Sequence, residues 1–131
     1  MIGANVGAIL VVTGALTVPV GVGLFIPRQL LDFLVAEKTN DTTVILVARH
    51  WSLLGALVGG LLIYAAYRPE IRVPVIIAGA TEKVMFGLLV ITSPLCRRLL
   101  TMSVVGADAI MATFYVLFLA RQRTQTSTPS I

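Results

Sequence analysis

Four long apolar stretches, separated by short polar segments, dominate the hydropathy pattern of this chain. They cover about residues 6–26, 44–67, 73–92 and 99–119. A helix needs about 20 apolar residues to cross the roughly 30 Å hydrocarbon core of a bilayer, and each stretch has about that length. The pattern therefore predicts an all-α membrane protein. We expect a four-transmembrane-helix antiparallel bundle with both termini on the same side of the membrane.

The segment between the first two stretches, residues 27–38, has a pattern of its own. Its apolar residues fall on one broad side of a helix and comprise Leu30, Leu31, Phe33, Leu34 and Val35. Its polar residues are Arg28, Gln29, Asp32, Glu37 and Lys38. Such a segment is typical of an amphipathic helix that lies in the membrane interface, and a plain loop is the alternative. The residues that follow, 39–43, are suited to cap the next helix.

The composition is typical of a membrane protein, because a soluble fold of this length could not bury so much apolar surface. Of the 131 residues, 57% are hydrophobic and 12% are charged, whereas soluble domains have about 45–50% apolar and 25% charged residues. We interpret residues 1–131 as one integral membrane domain. Its tail, residues 124–131, is rich in Ser and Thr, and we expect it to be disordered.

The distribution of basic residues bears on orientation and partners. The side of the termini carries Arg68, Arg72, Arg121 and Arg123, and the other side carries Arg28, Lys38, Arg97 and Arg98. Because each side carries four basic residues, the positive-inside rule gives no orientation. We favour cytoplasmic termini, because Lys38 lies in the longest loop beside two acids. The net charge of +4 comes from segment ends without a basic, aromatic-lined groove, so the expected partner is the lipid bilayer and not nucleic acid.

Small residues in the second stretch predict a close helix contact. Gly55 and Gly59 form a GxxxG pattern, and Ser52, Ala56 and Gly60 form a second ridge beside it. Small residues at this spacing allow two helix backbones to approach closely in a membrane.

A proline inside the first stretch predicts a distortion there. Pro19 removes one backbone hydrogen bond, so we expect a kink at this point. We also expect the hydroxyls of Thr13 and Thr17 to bond carbonyls that the proline leaves free.

Glu82 and Lys83 stand side by side in the middle of the third stretch, where a charge costs about 2.5 to 3.5 kcal/mol to insert. With a rise of 1.5 Å per residue, depth can be measured from the side of the first and third loops. Arg49 and His50 lie about 8 to 9 Å deep, Lys83 and Asp108 about 14 Å, and Glu82 about 15 Å. All five can therefore share one charged layer.

Buried charges need partners, because an unpaired buried ion is strongly destabilising. We predict that Lys83 pairs with Asp108 and that Glu82 pairs with Arg49. The layer is then structural, or it forms a site for a proton, an ion or the polar head of a lipophilic ligand. Tyr115 joins the candidates because it shares a heptad-spaced stripe with Asp108 and Thr101 on the fourth stretch. The full candidate set is Arg49, His50, Glu82, Lys83, Asp108 and Tyr115.

No motif assigns a catalytic residue or a metal site. One His and one Cys cannot supply a familiar zinc or haem ligand set, and His50 beside Trp51 is more often an anchoring residue than a ligand. No cofactor is supported by a motif, and a quinone or a lipid remains open.

Several short motifs resemble a known family. They are Gly23-Leu24-Phe25-Ile26-Pro27 with Leu30, Leu31 and Phe33, then Ala48-Arg49-His50-Trp51 and the Gly-rich run from Leu54 to Tyr64. Over residues 14–120 the chain resembles the DoxX-like group of small four-helix membrane proteins. The resemblance implies an accessory or quinone-proximal membrane subunit and names no catalytic residues. Small multidrug resistance transporters are similar in length and helix count, but their essential glutamate lies in the first helix, where this chain has no acid.

Three functions follow as hypotheses. The first is a non-catalytic accessory subunit of a membrane complex, for example a redox complex, or a binder of a lipophilic ligand, associated with other membrane subunits or with its own copies. The alternatives are a proton-coupled small-molecule transporter that uses Glu82 or Asp108, and a membrane enzyme that acts on a lipid or sterol.

Overall fold

The computed structural model describes residues 2–35, 38, 40–94 and 98–126. Within these residues the chain is almost entirely helical and contains no strand. In chain order the elements are α1 (Ile2–Thr17), a 3₁₀ segment (Val18–Leu24), α2 (Pro27–Val35), α3 (Thr42–Tyr67), a 3₁₀ turn (Pro69–Ile71), α4 (Arg72–Ile91) and α5 (Leu99–Thr126).

Among the described residues, four helical stretches are long and apolar enough to cross a membrane, as the hydropathy pattern predicts. They are Asn5–Leu24, Thr42–Tyr67, Pro69–Ile91 and Leu99–Arg123. Their outward surfaces are apolar as well, since side chains from all four stretches are more than half exposed: Val12, Leu46, Leu57, Leu89 and Val116. A helix that is hydrophobic all round is typical of a membrane span. The antiparallel order of the spans and the cytoplasmic position of the termini stay predictions.

Two boundaries differ from expectation. Helix α5 continues to Thr126, so residues 124–126 of the expected disordered tail are helical, and residues 127–131 lie outside the described residues. The predicted segment at 27–38 is a helix from Pro27 to Val35, whereas residues 36 and 37 are outside the described part.

Asp41 caps the next helix, because its carboxylate accepts hydrogen bonds from the backbone of Thr43 at 2.8 Å and Val44 at 3.3 Å.

The first span changes helix type close to Pro19, where a distortion is predicted, and the kink itself stays a prediction. It is α-helical to Thr17 and then forms a 3₁₀ helix of seven residues that has Pro19 in its first turn. Thr13 and Thr17 do bond carbonyls, but those of Ile9 and Thr13, which the proline does not leave free. A 3₁₀ run longer than about four residues is uncommon, so this segment depends on the packing around it.

That packing comes from small residues, and the predicted contact at Gly55 and Gly59 is confirmed. A Cβ added at Gly59 would lie 2.8 Å from the backbone nitrogen of Val18 and 2.9 Å from the carbonyl oxygen of Gly14. A Cβ at Gly55 would lie 3.3 Å from Val20. The first span therefore packs backbone to backbone on α3 along this ridge.

The second small-residue ridge is used in part. A Cβ at Gly21 would meet Ala56 at 2.7 Å, and a Cβ at Gly23 would collide with both Leu30 and Ser52. Gly23 thus lets the 3₁₀ segment touch α2 and α3 at once. Among the described residues, no atom outside the local helix backbone lies within 4 Å of the corresponding point at Gly60, and this end of the ridge is exposed.

Side chains tie the remaining elements together. Arg72, the first residue of α4, donates from Nε to the carbonyl of Ala65 at 3.0 Å and from Nη2 to that of Ala66 at 2.6 Å. These carbonyls belong to the last turn of α3, where carbonyls lack the regular partner four residues on, and that of Ala65 also accepts from the backbone N–H of Arg68 at 3.3 Å. The Thr101 hydroxyl donates to the carbonyl of Leu34 at 2.8 Å and so joins α5 to α2.

The apolar core lies toward the end of the bundle that holds the α3–α4 turn. Its buried members are Leu10, Leu62, Ala65, Ala66, Ile76, Met111 and Tyr115. The opposite end, below α2, is less filled, and this difference positions the features described next.

Candidate functional site

A chain of polar side chains crosses the bundle between α1, α4 and α5, and we call it the polar network. Its members are Thr13, Thr17, Glu82, Lys83, Asp108 and Tyr115. The pair on the first span, Thr13 and Thr17, and the pair on α5, Asp108 and Tyr115, are four and seven residues apart, which places each pair on one helix face. Helix α4 contributes the adjacent residues Glu82 and Lys83. Three of the six were predicted as one charged layer, and Tyr115 was predicted through its stripe with Asp108 and Thr101.

Lys83 is the centre of the polar network. It is only 4% exposed, and its Nζ lies 2.8 Å from Oδ1 of Asp108, which confirms the predicted contact between α4 and α5. The same nitrogen lies 3.4 Å from the Thr17 hydroxyl and 3.8 Å from Oε2 of Glu82. Lys83 therefore connects three helices. The position of this pair inside a membrane stays a prediction.

Tyr115 and Thr13 form the second part of the network. The Tyr115 hydroxyl donates to Oγ1 of Thr13 at 2.6 Å, and the Thr13 hydroxyl donates in turn to the carbonyl of Ile9 at 2.9 Å. Tyr115 is 1% exposed and Thr13 is 6% exposed. Each hydroxyl thus has a partner, so this contact fixes α5 against α1 without leaving a buried polar group unsatisfied.

Glu82 is the least satisfied member. Its Oε2 is buried and has no hydrogen-bond partner among the described residues, while its side chain is 28% exposed as a whole. The nearest cation, Lys83, is at 3.8 Å and already bonds Asp108. A carboxylate in this state has free capacity to accept a proton or a hydrogen bond from a ligand.

Arg49 and His50 do not belong to the network, and the predicted pairing of Arg49 with Glu82 is wrong. Both residues are exposed on α3, and within the described part of the chain the ion pair of Glu82 is with Lys83. The physical reason is their direction. The inward face of α3 carries Ala48 and Ser52, one turn apart, and each step along a helix turns the side chain by about 100°.

An apolar cavity of about 490 Å³ lies beneath α2, between α3, α4 and the start of α5. Its walls include Leu30, Leu34, Val47, Trp51, Phe86 and Thr101. Trp51 and Phe86 stack with ring centroids 5.5 Å apart and planes inclined by 20°, which makes one rigid wall. Among the described lining residues, Thr43, Ser93 and Thr101 carry hydroxyls, and those of Ser93 and Thr101 donate to the carbonyls of Val90 and Leu34. We call this space the apolar cavity.

The surface has two further depressions, one beside α2 and one between α1 and α5. A polar groove of about 260 Å³ is lined by Arg28, Gln29, Asp32, Lys38 and Asn40. A cleft of about 420 Å³ between α1 and α5 is almost wholly apolar, with Ile9, Val12, Leu16, Ile110 and Phe114 among its lining residues, and it reaches Thr13 of the polar network.

The described residues contain no group of three or more His, Cys, Asp or Glu side chains that could hold a metal ion. Glu82 and Asp108 are two carboxylates that share one lysine. The arrangement is suited to fixing helices and to exchanging a proton.

Comparison with known proteins adds no relative: no protein-family model, no curated protein and no solved structure matches this chain. The resemblance to the DoxX-like group therefore stays a prediction.

Sequence reasoning missed two features of the site. Thr17 was read only as compensation for Pro19, although it also accepts from Lys83. The stacking of Trp51 on Phe86 was not foreseen, because the two residues are 35 positions apart on different helices. The signal for Thr17 was its spacing of four from Thr13, which places two hydroxyls on one face of the first span.

Proposed function

We propose that this protein is a small, non-catalytic, multi-pass membrane protein that binds a lipophilic molecule in the apolar cavity. The cavity itself is the observation that carries the proposal. Its volume of about 490 Å³ falls within the range of about 300–1,000 Å³ that is common for ligand sites. Such sites are mostly apolar, and the lining of this cavity is almost wholly apolar.

The placement of α2 supports a route for such a ligand. Leu30, Leu31 and Leu34 line the cavity, whereas Arg28 and Asp32 are exposed on the other side of the helix. Phe33 is 67% exposed, as expected for an aromatic residue that enters the acyl region from an interfacial helix. We propose that α2 lies in the interface and forms the roof of the cavity, so that a molecule dissolved in the bilayer reaches the cavity from the side.

The polar network has a structural role in this proposal. Lys83 joins α4 to α5 through Asp108 and to α1 through Thr17. The helices that form one end of the bundle are thereby held together, while α2 closes the other end. The resemblance to the DoxX-like group supports an accessory subunit of a membrane redox complex, and a quinone is then a suitable occupant of the cavity.

The test is native mass spectrometry of the gently solubilised protein and of two variants. Val47 lines the cavity and is 61% exposed, so Val47→Trp should fill the space from its rim without disturbing the core. Leu46, its neighbour, is 65% exposed and does not line the cavity, which makes Leu46→Trp the matched control.

The expected result is a bound lipophilic mass in the wild type and in Leu46→Trp that is absent from Val47→Trp. A stoichiometric protein partner in the same spectrum would support the accessory role. The proposal fails if the wild type carries no lipophilic molecule, or if both tryptophan variants retain the same one.

A second candidate function rests on Glu82. Its Oε2 is buried without a hydrogen-bond partner among the described residues, and intramembrane acids are often proton carriers. A proton-coupled carrier would use this carboxylate to exchange a proton for a substrate. Proteoliposomes with an imposed pH gradient should then accumulate tetraphenylphosphonium, and Glu82→Gln should abolish the uptake. Glu70, an exposed acid in the α3–α4 turn, provides the control Glu70→Gln. Equal uptake in both variants excludes the carrier.

A further inference from the structure

The polar groove on the outer side of α2 combines two cations with one carboxylate. Arg28 and Asp32 are one turn apart on α2, and Lys38 and Asn40 follow in the connection to α3. Gln29 completes the lining. Two cationic, one anionic and two amide side chains thus line a space of about 260 Å³.

These charges are available to a ligand. Among the described residues, the ion pairs are those of Arg68 with Glu70 and of Lys83 with two acids. None of these pairs includes Arg28, Asp32 or Lys38. Residues four apart on a helix can form an ion pair, yet Arg28 and Asp32 remain apart, which leaves two positive groups and one negative group directed at the same groove.

The charge pattern selects one class of head group. A guanidinium binds phosphate through two parallel hydrogen bonds, and a lysine ammonium binds it as a point charge. A carboxylate accepts hydrogen bonds from a primary ammonium. An anionic head without an amine would leave Asp32 unpaired beside the phosphate, and a trimethylated amine has no N–H to donate.

The two sides of α2 are close enough for one lipid to occupy both. A helix with its side chains is about 10–12 Å across, and one acyl chain spans about half of the roughly 30 Å hydrocarbon core. The cavity side of α2 is formed by Leu30, Leu31 and Leu34, and the groove side by Arg28, Gln29 and Asp32.

We propose that the polar groove binds the phosphoethanolamine head of a lipid, with the phosphate on Arg28 and Lys38 and the ammonium on Asp32, while its acyl chain occupies the apolar cavity. This assignment rests on the proposed function, because the same cavity receives the chain. It adds a head-group preference that an apolar cavity alone does not have.

The experiment is competitive native mass spectrometry of the delipidated, full-length protein in detergent. The protein is mixed with equal amounts of phosphatidylethanolamine, phosphatidylcholine and phosphatidylglycerol that carry identical chains. We expect phosphatidylethanolamine to be retained about two- to fivefold more than either competitor, the range set by exposed ion pairs. Asp32→Asn should remove this preference in favour of phosphatidylglycerol, Arg28→Gln should weaken retention of all three phospholipids, and Glu70→Gln should change nothing.

The outcomes distinguish a failure of the head-group assignment from a failure of the proposed ligand cavity. Equal retention of the three lipids, unchanged in Asp32→Asn, overturns the head-group assignment, and the cavity is still supported if Val47→Trp reduces retention of all of them. Retention of no lipid by the wild type overturns the assignment and the proposed function together.

Discussion

Replacing Lys83 by methionine should destabilise the bundle more than replacing Asp108 by asparagine, although the two residues form one ion pair. The reason is the number of partners on each side. Lys83 Nζ has Asp108 at 2.8 Å, Thr17 at 3.4 Å and Glu82 at 3.8 Å. Within the described residues, Asp108 has only Lys83 as an ion-pair partner.

The magnitudes follow from what each change leaves behind. Lys83→Met leaves two carboxylates near each other without a cation, and an uncompensated buried charge costs about 3–5 kcal/mol. Asp108→Asn keeps an amide oxygen for Lys83, and the cation retains Glu82, so the loss is that of one charge-assisted hydrogen bond, about 1.5–3 kcal/mol. Glu82→Gln leaves the 2.8 Å contact intact and should cost less than either.

The assay is reversible unfolding in mixed micelles, followed by tryptophan fluorescence. Trp51 is the only tryptophan and stacks on Phe86, so its emission reports the separation of α3 from α4. The free energy of unfolding is measured for the wild type, the three single variants and the double variant Lys83→Met with Asp108→Leu. The double variant should recover much of the loss, because it removes both charges together.

The expected difference between the costs of Lys83→Met and Asp108→Asn can be refuted in two ways. If Asp108→Asn costs as much as Lys83→Met, then Glu82 and Thr17 do not support the lysine, and the polar network is only a pair. If the double variant is no more stable than Lys83→Met alone, the two residues are not energetic partners.

Three further predictions concern packing and helix ends, and the same unfolding assay measures each. Gly23→Ala should cost about 1–3 kcal/mol, because the added methyl collides with side chains of α2 and α3, whereas Gly60→Ala should gain about 0.5–1 kcal/mol in open space; equal effects would contradict the close packing. Tyr115→Phe should cost about 0.5–1.5 kcal/mol through the lost bond to Thr13, and no loss would mean that this bond adds nothing. Arg72→Met should cost about 1–3 kcal/mol, since it removes two hydrogen bonds to carbonyls at the end of α3, and a neutral effect would show that water replaces the guanidinium.

The sequence predicted the spans and one contact across helices because both depend on local pattern. Apolar length alone defines the spans. Asp108 could be assigned to Lys83 because its heptad stripe, shared with Thr101 and Tyr115, faces inward, and all three are buried or nearly so. Arg49 was misplaced because its depth was counted while its direction around α3 was not.

Features that depend on tertiary packing were not predictable from local pattern. Pro19 predicts a disturbed helix, but the 3₁₀ form of the segment depends on how closely Gly21 and Gly23 approach α3. In the same way, the apolar cavity is defined by side chains of four separate helices. No periodicity within one helix indicates that the others leave this space unfilled.

The position of Glu82 beside Lys83 has a consequence for the synthesis of the protein. Lys83 and Asp108 are 25 residues apart, which at about 5–20 residues per second corresponds to about 1–5 s of translation. During that interval Lys83 has left the ribosome and Asp108 has not, so the lysine lacks the aspartate that it bonds in the finished protein. Glu82 is already present in the same helix as a counter-ion, so we expect it to lower the free-energy cost of inserting α4. Once α5 has inserted, Lys83 bonds Asp108 in its place.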